Sequence, residues 1–274
     1  MKTRIKTILV NLELMIMSII VIVPVSWIVL SSFNKGTSLA TSTFIPKQLT
    51  FENYRRLFQE TNFTTWFSNT FQIATLNAII SVFLILITAW VLSRFQFKGK
   101  KQGLITLLIL SMFPSFLSMT AIYSLFVNLG LVGKPLALVL LYSIGAIPYN
   151  VWLVKGYLDG ISMSLDEAAY IDGSTKLTTF FKIIVPMSKP IIVYCMVSQF
   201  MFPWMDYILP NLLLTGDKTR TVAVGLYSMI TGNENSYFTT FAAGSVVIAV
   251  PCTLLFLVFQ KFLVQGIASG ASKE

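Results

Sequence analysis

Apolar residues in this chain come in long, nearly unbroken runs rather than in alternation with polar ones. Six runs approach the ~20 residues that a helix needs to cross the hydrocarbon core of a bilayer. They occupy 14–33, 70–92, 104–126, 135–154, 191–213 and 238–264. None shows the period-two alternation of a membrane barrel strand. The pattern predicts an all-α polytopic membrane protein with six transmembrane helices, a single transmembrane domain over 1–274. Three connections, 34–67, 155–189 and 215–237, are too long to be simple turns, and connections of that length carry function or structure of their own. There is no internal repeat or low-complexity stretch.

Charge orients the bundle. Lys2, Arg4 and Lys6 precede the first run, Arg94, Lys98, Lys100 and Lys101 follow the second, and Lys155, Lys176, Lys182 and Lys189 lie in the 155–189 connection. With Lys261 and Lys273, thirteen basic residues fall on one side and seven on the other. Lys and Arg mark the cytoplasmic side, so both termini and 155–189 are expected inside, and 215–237 outside. The basic start resembles a signal peptide, but no small-residue cleavage site follows and five more runs come later; it reads as an uncleaved first helix.

Composition agrees. The 274 residues are 55% hydrophobic and 11% charged, against about 25% charged in a soluble domain. The net charge of +9 is dispersed between apolar runs, which speaks for a membrane and not for nucleic acid. Histidine is absent, which excludes His-based triads, most zinc sites and His proton relays; no metal site is expected. Cys195 and Cys252 lie inside apolar runs, as small packing residues do. No phosphate loop G-x-x-x-x-G-K-[ST] occurs, so this chain is expected not to hydrolyse ATP.

Within 155–189 the pattern predicts helix, bend, helix. Ser164 and Glu167 have the spacing of a capping box, Ala168 and Ala169 favour helix, and Gly173 can take the left-handed conformation that ends it. Ser174 is then placed to cap a second helix with an apolar stripe at Leu177, Phe180, Phe181 and Ile184, closed by Pro186 and Pro190. Patterning alone leaves two readings open: a connector lying on the membrane, or a docking element.

The order Glu167-Ala168-Ala169, Asp172-Gly173, Phe180, Ile183, Pro186, Pro190 resembles the EAA motif of ABC importer permeases, with Ser174 in place of the usual alanine. Asn128-Leu129-Gly130-Leu131, Trp152 to Tyr157, Thr221 to Gly225, Phe241-Ala242-Ala243 and the end of the chain from Gln260 to Gly270 are similar to the carbohydrate branch, and most of all to the MalG type of subunit in maltose/maltodextrin importers. The resemblance implies the type I importer permease fold in a bacterial cell membrane. It further implies a complex with a second, MalF-like permease, a homodimeric MalK-like ATPase that carries ATP and Mg, an extracellular or periplasmic sugar-binding protein, and the sugar. In such a complex Glu167 pairs with a basic residue of the ATPase, Ala168 and Ala169 allow close approach and Gly173 sets the bend. The tail 265–274, with Gln260, Gly266 and Gly270, reaches the ATPase dimer, and the outer tip Thr231, Gly232, Asn233, Glu234, Asn235 and Ser236 meets the binding protein.

Asp206 is the acidic residue deep in a run. A carboxylate there costs about 2.5–3.5 kcal/mol on insertion scales, so it must face a cavity or a partner. With Trp204 and Tyr207 it either borders the substrate path or forms a packing contact between helices. Rival functions are an ion-coupled secondary transporter, which needs more buried ionisable groups, a permease of the same superfamily for another solute such as a polyamine, and an intramembrane hydrolase, which the lack of histidine opposes.

Overall fold

The structure is a computed structural model that describes residues 2–37, 45–113, 115–231 and 237–271, with side chains described for 6–37, 45–113, 117–231 and 237–262. In chain order the helices are α1 (Lys2–Ser32), α2 (Glu52–Gln59), α3 (Phe63–Arg94), α4 (Lys100–Met112), α5 (Met119–Asn128), α6 (Pro135–Gly145), α7 (Ile147–Asp159), α8 (Ser164–Ile171), α9 (Lys176–Thr179), α10 (Val185–Met187), α11 (Lys189–Met205), α12 (Ile208–Leu213), α13 (Val222–Ser228) and α14 (Phe238–Ala271). Among the described residues the extended structure is one isolated bridge, Asn34 with Leu49.

Among the described residues three helices are each long and apolar enough to cross a membrane, over Lys6–Ser32, Phe63–Arg94 and Phe238–Phe262. The other runs are interrupted. The fourth is the pair α6 and α7, bent by 44°. The third is divided into α4 and α5, joined through a 3-10 turn at Ser115–Ser118. The fifth stops at Met205: Asp206 is extended (φ −80°, ψ 121°) and α12 starts two residues later. Hydropathy records the length of these runs, whereas the breaks follow from individual backbone groups.

The chain falls into two compact units. The first comprises 1–64 and 224–251. Asn53 ties it together: its Nδ2 donates to the Ser32 and Asn34 carbonyls at 2.9 and 2.8 Å, and its Oδ1 accepts from Thr239 Oγ1 at 2.9 Å. Gly244 of α14 packs so closely on Leu226 and Leu57 that a Cβ there would overlap the Leu226 side chain. By contrast α1 leaves Ile8, Leu9, Leu14, Ile20 and Val21 about 60% exposed, surface suited to lipid or to another membrane subunit.

The second unit comprises 65–223 and 252–274. α3 runs along it with two apolar clusters on its length. Near its start Ile73 packs with Phe126, Leu138, Tyr142 and Leu213. Near its end Ile85, Ala89 and Trp90 pack with Val151, Val154, Leu158, Phe180, Ile184 and Ile191. Asn77, at mid-helix, is satisfied internally: its Nδ2 donates to the Gln199 carbonyl at 2.7 Å and its Oδ1 accepts from Ser143 Oγ at 3.2 Å. Cys195 lies buried in the second of these clusters, as expected of a packing residue.

Candidate functional site

The predicted helix, bend, helix is present, with its caps shifted. α8 begins at Ser164, but no capping box forms: Met163 is the N-cap and no side chain caps the helix. Ser164 Oγ is instead 2.7 Å from Ser162 Oγ, while the Asp166 and Glu167 amides donate to the Met163 carbonyl at 3.0 and 3.1 Å. The second cap is Thr175 and not Ser174, its Oγ1 accepting from the Thr178 amide at 3.2 Å. Gly173 ends α8 at φ +83°. The Ser174 amide donates back to the Ala169 carbonyl at 2.9 Å, a six-to-one closure that needs a left-handed residue between. After α9 the backbone widens into a π-turn at Phe180–Ile184 and ends in α10. A 78° bend at Ser188 then leads into α11, with Pro190 in its first turn, where no amide is missed.

The nine anchors of the motif divide by burial. Ala169 (7% exposed) and Phe180 (4%) face inward, Phe180 stacking 4.5 Å from Trp90. Ile183 and Pro190 are half-buried, whereas Glu167, Ala168, Asp172, Gly173 and Pro186 are exposed. The expected stripe on the second helix is half used: Phe180 and Ile184 are buried, but Leu177 and Phe181 are about 60% exposed. Ile171 is 86% exposed at the end of α8. The outer surface of the segment thus carries a carboxylate, a flush alanine and large apolar side chains without cover.

Its inner surface is bolted to α3. Arg94 Nε lies 3.1 Å from Asp166 Oδ2, both side chains at most 5% exposed, and Arg94 Nη2 donates to the Ile161 carbonyl at 3.0 Å. The Arg94–Asp166 contact lacks the alignment of a hydrogen bond, so charge holds it. Ser93 Oγ donates to Asp159 Oδ1 at 2.7 Å, and Lys155 pairs with the other oxygen of Asp159 at 2.6 Å. The Tyr170 phenol is raised above its ordinary pKa by desolvation first and by the Asp166 carboxylate second, Arg94 opposing. Neither Arg94 nor Asp166 stands out in the sequence beyond its charge.

Asp206 is partnered. Its Oδ2 accepts from the Tyr142 hydroxyl at 2.7 Å, and its Oδ1 accepts from the Ile208 and Leu209 amides at 2.9 and 3.4 Å. It therefore caps α12 and pins it to α6. Trp204 is buried between Phe67 (5.0 Å) and Phe200 (6.0 Å), and Tyr207 is half-buried. Just beyond them a cleft of about 460 Å³ opens between α5 and α12, lined by Met119, Thr120, Tyr123, Ile208, Asn211 and Leu212. Its lining mixes polar and apolar groups and carries no charge. The sequence holds no sign of it, since single polar residues in apolar runs do not tell that α5 and α12 meet.

Of the outer tip, Thr231 is described and its hydroxyl donates to the Tyr227 carbonyl at 3.1 Å; Gly232, Asn233, Glu234, Asn235 and Ser236 lie outside the described residues. At the other end, Gln260 is exposed, and the backbone at Gly266 and Gly270 continues α14 as helix.

Residues 81–269 match the family described as binding-protein-dependent transport system inner membrane component. The chain belongs to this family. It is 37% identical over 265 residues to the galactooligosaccharides transport system permease protein GanQ of Bacillus subtilis (strain 168), covering 96% of this chain and 94% of that one. It is 35% identical over 273 residues to the maltodextrin transport system permease protein MalD of Streptococcus pneumoniae, covering 100% and 98%. A chain of a bacterial ABC transporter for import of the acidic polysaccharide alginate superposes with a TM-score of 0.82 at 23% identity, over 94% of this chain and 96% of that one. The fold is that of an ABC importer permease, and the protein is a multi-pass component of the bacterial inner membrane.

Proposed function

We propose that this chain is a non-catalytic permease subunit of an ATP-driven importer of neutral oligosaccharides, maltodextrins first among them. In this reading it supplies half of the translocation path beside a second permease, receives sugar from an extracellular binding protein, and takes its driving force from a separate ATPase homodimer docked on α8 from the cytoplasmic side. The observation that carries the coupling role is α8 itself: a short helix locked to the end of α3 on its inner face, with Glu167 and Ala168 free on the outer. A cationic groove on a partner would take Glu167 as a charge-assisted contact, and the flush Ala168 would let the two backbones approach. Closure of the ATPase then becomes rigid-body rocking of the permease.

The uncharged cleft supports the substrate class. Its hydroxyls and amide suit sugar hydroxyls, and Tyr123 offers an aromatic face, whereas a polyamine or a phosphate would call for charge in the lining. Relatives of similar identity transport maltodextrin and galactooligosaccharides, so a sugar panel is the test. The tagged chain, purified with its co-expressed partners and reconstituted in proteoliposomes with ATP inside, is expected to take up maltotriose or maltotetraose in the presence of its binding protein. Uptake of galactotriose alone would move the substrate while keeping the class. Uptake driven by an ion gradient without ATP would defeat the reading.

A further inference from the structure

The Arg94–Asp166 pair is odd as a stabilising device. Both side chains are almost wholly out of water, and among the described residues neither Asp166 oxygen accepts a hydrogen bond. Taking two charges out of water is costly, and an apolar pair of similar volume generally does as well or better for stability. What Arg94 supplies is a two-point hold, one aligned hydrogen bond and one charge contact. Arg94 is the last residue of α3, and its guanidinium reaches two points at once: the Ile161 carbonyl just before α8 and the Asp166 carboxylate within it. A planar fork held at two points resists sliding and rotation in a way that an apolar contact does not. The other arm of the segment meets the same end of α3: Lys176 Nζ sits 4.8 Å above the Phe95 ring, and Phe180 packs on Trp90.

We propose that Arg94 and Asp166 are positioning residues that form the strut by which displacement of α8 is delivered to α3, and so to the cluster around Ile73 and Tyr142. Asp166 directly precedes the exposed Glu167, so one turn of α8 faces the partner with one carboxylate and grips α3 with the other. The inference rests on the reading of α8 as the ATPase-docking element. Without the strut, α8 would move with the ATPase while α3 stayed behind, and ATP would be hydrolysed with little transport.

The test uses the reconstituted complex and reads sugar imported per ATP hydrolysed. The double variant Arg94→Met with Asp166→Leu removes both charges and keeps the volume. It is expected to assemble and melt like the wild type, yet to import at least tenfold less sugar per ATP. Arg94→Lys keeps the charge but holds one point where arginine holds two, and is expected to give a ratio reduced about threefold. A double variant with the wild-type ratio overturns the proposal, since a merely structural pair would be replaceable by well-packed apolar residues. Should the double variant fail to assemble, Arg94→Lys decides, and an unchanged ratio overturns it equally. A wild-type complex that imports no sugar of the panel defeats the substrate reading instead. The strut is then read by hydrogen exchange at amides 88–94 on adding nucleotide: protection that changes in the wild type and not in the double variant supports it, and identical responses overturn it.

Discussion

At the residue scale, Asp206 shows how one side chain can settle two questions. Its carboxylate holds two amides of α12 and the Tyr142 hydroxyl, so within this chain it is a cap and a packing contact. Loss of a cap costs about 1 kcal/mol, and an orphaned buried hydroxyl adds about 1–3 kcal/mol. Asp206→Ala is therefore expected to lower the melting temperature of the purified complex clearly, and Asp206→Asn, which keeps an acceptor for the amides, to lower it less. Equal melting of Asp206→Ala and wild type would show that the cap contributes nothing. The cleft residues should behave in the opposite way. Asn211→Ala and Tyr123→Ala remove polar groups that line the cleft, so the half-saturating sugar concentration for uptake should rise several-fold while the melting temperature changes little. A fall in complex yield with no change in that concentration would assign the cleft to subunit packing.

At the scale of elements, two glycines are fixed by geometry and not by composition. Gly173 closes α8 at φ +83°, and no neighbouring atom lies within 4 Å of the place a Cβ would take, so the constraint is purely the backbone. An L-residue there costs about 1–2 kcal/mol, and α8 would lose its six-to-one closure. Gly173→Ala is expected to keep the fold and to reduce transport by several-fold, and Gly173→Pro, which cannot take positive φ, to abolish it; full transport by Gly173→Pro would remove the bend from the mechanism. Gly244 is the reverse case, limited by space: α14 meets Leu226 and Leu57 through it. Overpacking there costs about 1–3 kcal/mol, so Gly244→Val should lower the melting temperature, measured against Gly266→Ala as a helix control.

Over the whole molecule, the broken runs matter more than the continuous ones. α1 and α14 are long, apolar and largely exposed, with 6% and 17% of their most apolar stretch buried, against 44% for α3. The interrupted helices α4 to α7 and α11 to α12 meet α3 and surround it with its two clusters, and the cleft and the α8 segment both depend on those interruptions. In membranes, irregular backbone is tolerated where protein or a water-filled path covers it, which fits helices that border a path. The exposed flanks call for lipid and a second permease. Expressed without its partner subunits, the chain is expected to be degraded or to aggregate in mild detergent; a stable, monodisperse lone chain would count against an obligate complex.

The sequence alone determined the class. Hydrophobic run length fixes membrane helices because hydrogen-bonded backbone in a bilayer leaves no other choice, and the spacing from Glu167 to Pro190 was enough to point to the family, since a left-handed glycine after a short helix and prolines in the first turns of the helices that follow each have a local physical reason. Burial was beyond its reach. Whether Ser164 or Met163 starts α8, which half of the Leu177 to Ile184 stripe turns inward, and that Asp206 caps a helix all depend on competing partners brought from elsewhere in the chain. The same holds for Arg94 and Asp166, which are 72 positions apart in number: charge is visible in a sequence, but only the packing of α3 against the 155–189 segment removes the water between them and makes them a pair.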